Sequence, residues 1–247
     1  MDVYWLEQSE ADIPPENDWL SASEVACLRA MRIPKRRADW RLGRWTAKRG
    51  LSLHLNLPSE AQALASIEIR PAASGAPEAF IAGVPAAASI SISHCNSNAF
   101  CAIAPLGTAL GCDLELVEPR SDLFVSDYFT AEEQALVARV TAAKRPWLVT
   151  LLWSAKESAL KALHEGLRRD TRSVIVRLAD SIIPSENAVA RNGNRSLSRD
   201  RSIWLPLEVH STGGEIFHGW WRQSGNRLRT VVSAPASALP TMLQTLQ

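Results

Sequence analysis

One helical segment, from about Pro146 to His164, most restricts how this chain can fold. Its apolar residues recur at helical spacing along one stripe, so the helix must pack against a hydrophobic core. The stripe consists of Val149, Leu152, Trp153, Leu160 and Leu163. Lys156 falls on the same stripe, where its ammonium group needs either an anion within reach or a route to the surface. Docking of the stripe also brings Glu157 inward, one turn before Lys161.

Strand-like and helical segments mix along the rest of the chain. Helices are predicted at 22–31, 37–55 and 131–143, the last opened by the capping-box pair Thr130 and Glu133. Strands are predicted at 3–6, 90–93, 99–104, 109–116, 173–178, 203–209, 215–221 and 228–233. Residues 71–88 are predicted as loop with brief extended pieces, and the polar residues 185–201 as a mobile loop. The mixture predicts an α+β fold, with Gly107 at the boundary between two halves.

Positive charge is concentrated between Arg29 and Arg49. Nine basic residues stand there against the single Asp39, a local charge of +8 in a chain whose net charge is +1. Four of the cations recur on one face of the predicted helix, namely Arg37, Arg41, Arg44 and Lys48. Because crowded like charges repel unless they meet an anion, this face predicts a phosphate-binding surface. A solvated basic helix face is the alternative.

A pair of acids marks the predicted strand 109–116. Within Gly111-Cys112-Asp113-Leu114-Glu115, the two carboxylates project from the same face, since strand side chains alternate. Neighbouring carboxylates repel unless a cation or a proton relieves them, and oxygen ligands on one face suit Mg²⁺. An exposed edge strand with alternating acids is the alternative.

A histidine ends the strand that contains Ser91-Ile92-Ser93-His94. At a strand end beside a loop, the His94 ring can donate a hydrogen bond to a phosphate. The alternative is a structural histidine with protein partners.

Several common classes of protein find no support in the sequence. The twelve glycines form no GxGxxG pattern, and GxxxxGK[ST], GxSxG and HExxH are absent as well. Four cysteines without a CxxC pair argue against a disulfide framework or a zinc site. The acidic N-terminus is not of the secretory type, and no apolar run approaches the length of a membrane span. We therefore expect a cytoplasmic location and no membrane partner.

The order of the three motifs is more informative than any one of them. Ser-x-Ser-His, then Gly-x-Asp-x-Glu, then Trp153-Ser-x-Lys156-Glu157-Ser-x-x-Lys161 follow a basic helix. This arrangement resembles the Sfp-type 4′-phosphopantetheinyl transferases over roughly residues 30–180. Members of that family transfer the phosphopantetheine arm of coenzyme A to a serine of an acyl or peptidyl carrier protein, and release adenosine 3′,5′-bisphosphate.

The resemblance implies roles for particular residues. Asp113, Glu115 and Glu157 would hold Mg²⁺ against the coenzyme A pyrophosphate, and Lys161 would stabilise the same oxygens. Glu157, or a metal-bound water beside it, would be the base for the carrier serine. His94 would contact the 3′-phosphate. The remaining expected coenzyme A contacts are Ser93, Lys156 and the helix cations Lys35, Arg37, Arg41 and Arg44.

The resemblance also implies an architecture. The full-length family fold is a pseudo-dimer of two similar α+β halves, with the active site in the cleft between them. Here the halves would be residues 1–107 and 108–247, which predicts a monomer. One departure is visible, because the family often has Gly-Lys-Pro where this chain has Gly75-Ala76-Pro77. Either the basic helix holds more of coenzyme A, or this loop lies elsewhere.

Two other functions use similar parts. Acids on a strand, a nearby lysine and a basic surface also occur in Mg²⁺-dependent nucleases. A non-catalytic nucleic-acid-binding module would use the basic helix with Trp40 and Trp45, but it leaves the acids unexplained. The identity of the carrier protein and its pathway stay open, and no nucleic-acid partner is expected.

Overall fold

The computed structural model describes residues 1–179 and 203–244. The predicted mobile loop 185–201 lies outside the described residues. Within the described ranges the chain forms six α-helices: α1 (Ala22–Ala30), α2 (Pro34–His54), α3 (Ala61–Ala65), α4 (Asp122–Tyr128), α5 (Ala131–Ala138) and α6 (Arg145–Ala162). It forms twelve strands there: β1 (Tyr4–Ser9), β2 (Ile67–Pro71), β3 (Pro77–Ile81), β4 (Val84–Pro85), β5 (Ala88–Cys95), β6 (Asn98–Pro105), β7 (Ala109–Leu116), β8 (Val174–Leu178), β9 (Leu205–Ser211), β10 (Ile216–Ser224), β11 (Arg227–Ala234) and β12 (Thr241–Met242).

The predicted helices and strands are all present, with ends shifted by a few residues, and the α+β class is confirmed. The helix predicted at 37–55 begins at Pro34, whose fixed φ suits a first turn. The helix predicted at 131–143 ends at Ala138. Gly107 forms the expected turn, with a φ of 86° that favours glycine. No helix in the described ranges is long and apolar enough to cross a bilayer.

Two sheets lie face to face and share a small core. One has the strand order β12-β1-β6-β5 and the other β7-β11-β10-β9-β8. Side chains from both fill the space between them, among them Trp5, Phe100, Leu114 and Val231. Helix α2 covers the outer face of the first sheet and α6 covers that of the second, so the layers run helix, sheet, sheet, helix. A small sheet, β2-β3-β4, lies beside β5.

Strands β5 and β7 meet at a polar seam between the two sheets. The Ser91 Oγ accepts a hydrogen bond from the Cys112 backbone N at 3.0 Å. The Ser93 Oγ donates to Asp113 Oδ1 at 2.8 Å. Because strand side chains alternate, His94 points away from this seam. Both serines of the Ser-x-Ser-His motif therefore join the sheets.

In the N-terminal half, a buried lysine of the long helix α2 pairs with a capping-box glutamate. Ser21 and Glu24 form the capping box at the start of α1. The Glu24 carboxylate also accepts from Lys48 Nζ at 2.5 Å and from the Ile69 backbone N at 3.1 Å. Lys48 donates further to the carbonyl oxygens of Trp19 and Leu64. The cluster ties α1, α2 and β2 together.

The C-terminal half repeats this cluster in α5, α6 and β8. Thr130 and Glu133 form the predicted capping box. Glu133 accepts from Lys156 Nζ at 2.8 Å and from the Val176 backbone N at 3.0 Å. Lys156 donates further to the carbonyl oxygens of Thr171 and Val174. The anion that the apolar-stripe lysine required is therefore the capping glutamate.

Candidate active site

Helix α6 lies directly against β7 because residue 111 is a glycine. A Cβ atom at Gly111 would stand 1.8 Å from the carbonyl oxygen of Ser158, which no side chain could tolerate. Asp113 and Glu115 lie on the same face of β7 as Gly111, and both contact residues of α6. The predicted pair of acids on one strand face is therefore present and faces the predicted helix.

The two serines of the α6 motif attach the helix to β11. The hydroxyls of Ser154 and Ser158 lie 2.8 and 2.7 Å from the Thr230 Oγ1, and all three side chains are fully buried. Thr230 Oγ1 also donates to the Ser154 carbonyl. Buried hydroxyls that satisfy one another fix the position of a helix. The network sets where Glu157 and Lys161 fall relative to β7.

Asp113 is buried and only half satisfied. It is 4% exposed, and its Oδ1 accepts from both Ser93 Oγ and Lys161 Nζ at 2.8 Å. Its Oδ2 has no hydrogen-bond partner among the described residues. A buried carboxylate oxygen without a donor is costly, so this oxygen is suited to a ligand that the protein itself does not supply.

Glu115 is held by two side chains at the rim of the same face. Trp153 Nε1 donates to it at 3.1 Å, and Arg120 pairs with it at 3.2 Å. Burial, followed by repulsion from Asp113, raises the pKa of the Glu115 carboxyl to about 7. The tryptophan of the α6 motif thus orients an acid, a role that its place on the apolar stripe did not reveal.

Glu157 lies half-buried on α6 and has no hydrogen-bond or ion-pair partner among the described residues. Burial and the charge of Asp113 raise the pKa of the Glu157 carboxyl, and Lys161 partly opposes this. The pKa of Lys161 is itself raised: burial acts to lower it, but attraction to Asp113, Cys112 and Glu157 outweighs burial. Opposed charges therefore meet at the junction of β7 and α6.

The three carboxylates are of the type that binds a hard divalent cation, but the structure does not arrange them around one point. The three carboxylates lie close together, since the charge of Asp113 contributes to the raised pKa values of both Glu115 and Glu157. Within the described ranges, no three His, Cys, Asp or Glu side chains are arranged to hold a metal ion together. The Oδ2 of Asp113, which has no hydrogen-bond partner among the described residues, is an oxygen of the type that such a cation prefers.

A basic cavity of about 580 Å³ lies on the other side of β5 from the seam. His94, Lys35 and Arg44, three of the coenzyme A contacts expected from the resemblance, line it. Arg36 and Arg70 line it as well and were not among the sequence candidates. Arg36 belongs to the same basic run, whereas Arg70 arrives from β2 and no local pattern connects it to α2.

A second cavity of about 360 Å³ adjoins the first and is lined by Lys161. The two share Gly75, Pro77 and Ile92 in their walls. Lys161 lines the second cavity while its ammonium group contacts Asp113. Arg168 donates to the carbonyl oxygen of Ser74, beside the loop that contains Ala76. The Gly75-Ala76-Pro77 loop therefore lies at the cavities.

The sequence of the C-terminal half agrees with this geometry. Residues 109–203 match the model of the 4′-phosphopantetheinyl transferase superfamily. Over this segment the chain is similar to that superfamily. No curated protein matches the chain. The matched segment contains the acids of β7 and the whole of α6, so the resemblance seen in the motifs is confirmed there; His94 and the basic helix lie outside it.

Two of the predicted coenzyme A contacts have their polar groups engaged by the protein itself. Lys156 is fully buried, and its donors go to Glu133 and two backbone carbonyls. An ammonium group with three protein acceptors has no donor left for coenzyme A. Ser93, another predicted contact, is 6% exposed and its hydroxyl serves Asp113.

The predicted cationic face of α2 is also divided. Arg41 donates to the backbone carbonyl of Pro14, and Arg37 to that of Met31. Lys48 is fully buried against Glu24. Neither arginine lines the basic cavity, so of the four cations at that spacing only Arg44 does. The side chains of this helix face have different partners, because two of them donate to backbone carbonyls that lie outside α2.

Proposed function

We propose that this protein transfers the 4′-phosphopantetheine arm of coenzyme A to a serine of an apo acyl or peptidyl carrier protein. The products would be the holo-carrier and adenosine 3′,5′-bisphosphate. One observation carries the proposal: Lys161 of the matched segment contacts Asp113 and lines a cavity that shares a wall with a cavity lined with cations. Such a site suits a ligand with a pyrophosphate at one end and a further phosphate at the other.

Asp113, Glu115 and Glu157 would hold Mg²⁺. When bound, the metal would neutralise negative charge on the pyrophosphate oxygens. The support is the unpartnered Oδ2 of Asp113, together with the raised pKa values of the two glutamates, which come from burial and then from repulsion by Asp113.

The chain's own residues would perform the proton and charge steps. Glu157 would accept the proton of the carrier serine, because it is half-buried, unpaired among the described residues and of raised pKa. The serine oxygen then bonds to the phosphorus that bears the pantetheine arm. The bond from this phosphorus to the oxygen of the adenosine 5′-phosphate breaks. Lys161 would stabilise the charge that develops on that oxygen.

The basic cavity would bind the 3′-phosphate of coenzyme A. His94 is exposed at the end of β5, where its ring can donate to a phosphate. Lys35, Arg36 and Arg44 would supply the positive charge, whereas Arg70 in the same wall is paired with Glu68. Arg36, which the sequence did not single out, would offset the missing lysine of the Gly75-Ala76-Pro77 loop.

The molecule would be a pseudo-dimer of two similar halves, residues 1–107 and 108–247, with the site in the cleft between them. The repeated cluster of capping glutamate, buried lysine and strand backbone N supports this duplication. The Ser93–Asp113 bond places residues of both halves at the acids. Because one chain contains both halves, we propose a monomer.

The carrier would dock beside α4. Leu123 is 69% exposed and Tyr128 is 38% exposed. Tyr128 and Phe124 pack on Trp153, which holds Glu115. Exposed apolar side chains next to a reactive site suit a protein partner that must present its own serine there.

The decisive test incubates the protein with coenzyme A, Mg²⁺ and a panel of apo carrier proteins, and measures intact mass. We expect at least one carrier to gain the mass of the phosphopantetheine arm. A parallel incubation with DNA and RNA separates the alternatives. Cleavage of nucleic acid without modification of any carrier would favour a nuclease, and binding without either reaction would favour a nucleic-acid-binding module.

A further inference from the structure

We propose that Glu24 and Lys48 are positioning residues of the basic cavity: Glu24 holds Arg44, which lines the cavity, and Lys48 holds Glu24. Neither residue belongs to the cavity wall, and both are almost fully buried. The identification of the bound anion as the 3′-phosphate of coenzyme A rests on the proposed function.

The position of the Glu24 carboxylate is fixed by its hydrogen-bond donors. Its Oε2 accepts from the Ser21 backbone N at 3.0 Å and from Lys48 Nζ at 2.5 Å. Its Oε1 accepts from the Ile69 backbone N at 3.1 Å. A carboxylate with donors from three separate elements has a single orientation, which long side chains on a surface lack.

Arg44 lies beside the Glu24 carboxylate and over the ring of Trp40. Its Nε stands 3.9 Å from Glu24 Oε1 and has no hydrogen-bond partner among the described residues. Its guanidinium carbon lies 4.7 Å from the centre of the Trp40 ring. Only 17% of the side chain is exposed, so the attraction of Glu24 is weakly screened. The arginine is therefore held before any anion arrives.

The C-terminal half shows what the same cluster does without this arginine. One turn before Lys156, the helix α6 has Leu152, which is fully buried in the core. One turn before Lys48, the helix α2 has Arg44, which lines the cavity. The two clusters share their capping glutamate, lysine and strand backbone N. Because of this difference, among the described residues only the N-terminal cluster contacts an arginine that lines a cavity.

The test compares the binding of coenzyme A and dephospho-coenzyme A, which lacks the 3′-phosphate, by calorimetry. The double variant Glu24→Gln/Lys48→Met removes both charges while it keeps similar volumes. We expect coenzyme A to bind about tenfold more weakly, a loss of about 1.4 kcal/mol, with dephospho-coenzyme A unchanged. The matched control is Glu133→Gln/Lys156→Met, which we expect to keep the wild-type preference between the two ligands.

Two results would overturn the inference: an unchanged preference in the folded N-terminal double variant, or equal loss for both ligands. Should the double variant not fold, Glu24→Asp replaces it, because it keeps the charge but withdraws it by one methylene. A wild-type preference in Glu24→Asp would likewise overturn the inference. If the wild-type protein bound neither ligand, the proposed function would fail instead, and the two failures are thus distinguishable.

Discussion

The two oxygens of Asp113 have opposite environments. Oδ1 accepts two hydrogen bonds, one from each half of the chain, whereas Oδ2 accepts none among the described residues. Lys161 balances the charge without enclosing it, because its side chain is still 26% exposed. A site of this kind is charge-balanced yet keeps one oxygen for a ligand. Its geometry predicts that charge at residue 113 matters more than shape.

Asp113→Asn should therefore abolish transfer and leave the fold intact. The amide keeps the shape but loses the charge, and we expect kcat to fall by at least about 100-fold at ordinary Mg²⁺ concentrations. Lys161 can stay hydrated, so the melting temperature should change little. Glu157→Gln should fail in the same assay. Glu208→Gln, an acid on the far face of the second sheet, is the control. Wild-type rates with unchanged Mg²⁺ dependence in both site variants would refute the metal site.

The raised pKa of Glu115 predicts a pH-dependent stability. The folded protein holds this proton up to about pH 7, whereas an unfolded chain releases it near 4.5. The native state thus binds more protons in that interval, and stability should fall as the pH rises from about 4.5 to about 7. Urea unfolding without metal at several pH values measures the effect. Glu115→Gln should remove this part of the slope, and an equal slope in both proteins would contradict the assignment.

At the scale of elements, α6 is the part that the sequence predicted best. Its length, its apolar stripe and the need of Lys156 for an anion were all legible from spacing. The partner of that lysine was not, because Glu133 is a local capping residue in sequence and a long-range ion-pair partner only in the fold. Helix α2 shows the same limit, since Pro14 and Met31 carbonyls capture two of its arginines. Local sequence patterns predict the helices and strands. Contacts with groups outside each helix decide which of its charged side chains remain available to a ligand.

The close approach of α6 to β7 predicts that Gly111→Ala is severely destabilising. The added methyl would lie 1.8 Å from the Ser158 carbonyl oxygen. Neither atom can move away without a shift of the backbone of β7 or α6. We expect a loss of about 3 kcal/mol or more in denaturant unfolding, with transfer activity reduced as the helix shifts. Gly43→Ala is the control, because its methyl would meet only Ile92 Cγ2 at 3.4 Å, and we expect a change below about 1 kcal/mol. Equal stabilities of the two variants would show that α6 can adjust freely.

At the scale of the whole molecule, the two halves contribute different charges. The first provides cations and His94, and the second provides the acids and Lys161. The sequence predicted this division from the +8 stretch and the Gly-x-Asp-x-Glu motif. It could not predict the place of Arg70 in the cavity wall, the bond from Ser93 to Asp113 or the seam, because these depend on how β2 and β5 pack against other strands.

We expect that a substitution can weaken binding of the carrier protein without changing binding of coenzyme A. Leu123→Asp should raise the KM for the carrier protein by about tenfold or more and leave the KM for coenzyme A unchanged, because α4 is not part of either cavity. Steady-state kinetics with each substrate varied in turn measures both constants. Leu239→Asp, a comparably exposed leucine before β12, should change neither. An effect on coenzyme A alone would move the carrier surface away from α4.

The hydrogen bond from Ser93 to Asp113 has a mechanical consequence. It joins the sheets at the point where the acid lies, and the Ser91 bond to β7 lies two residues along the same strand. A hinge-like separation of the halves would have to break both bonds and strip the carboxylate of one donor. We therefore expect the seam to stay closed during the proposed transfer, with substrates entering and leaving along the rims of the cavities.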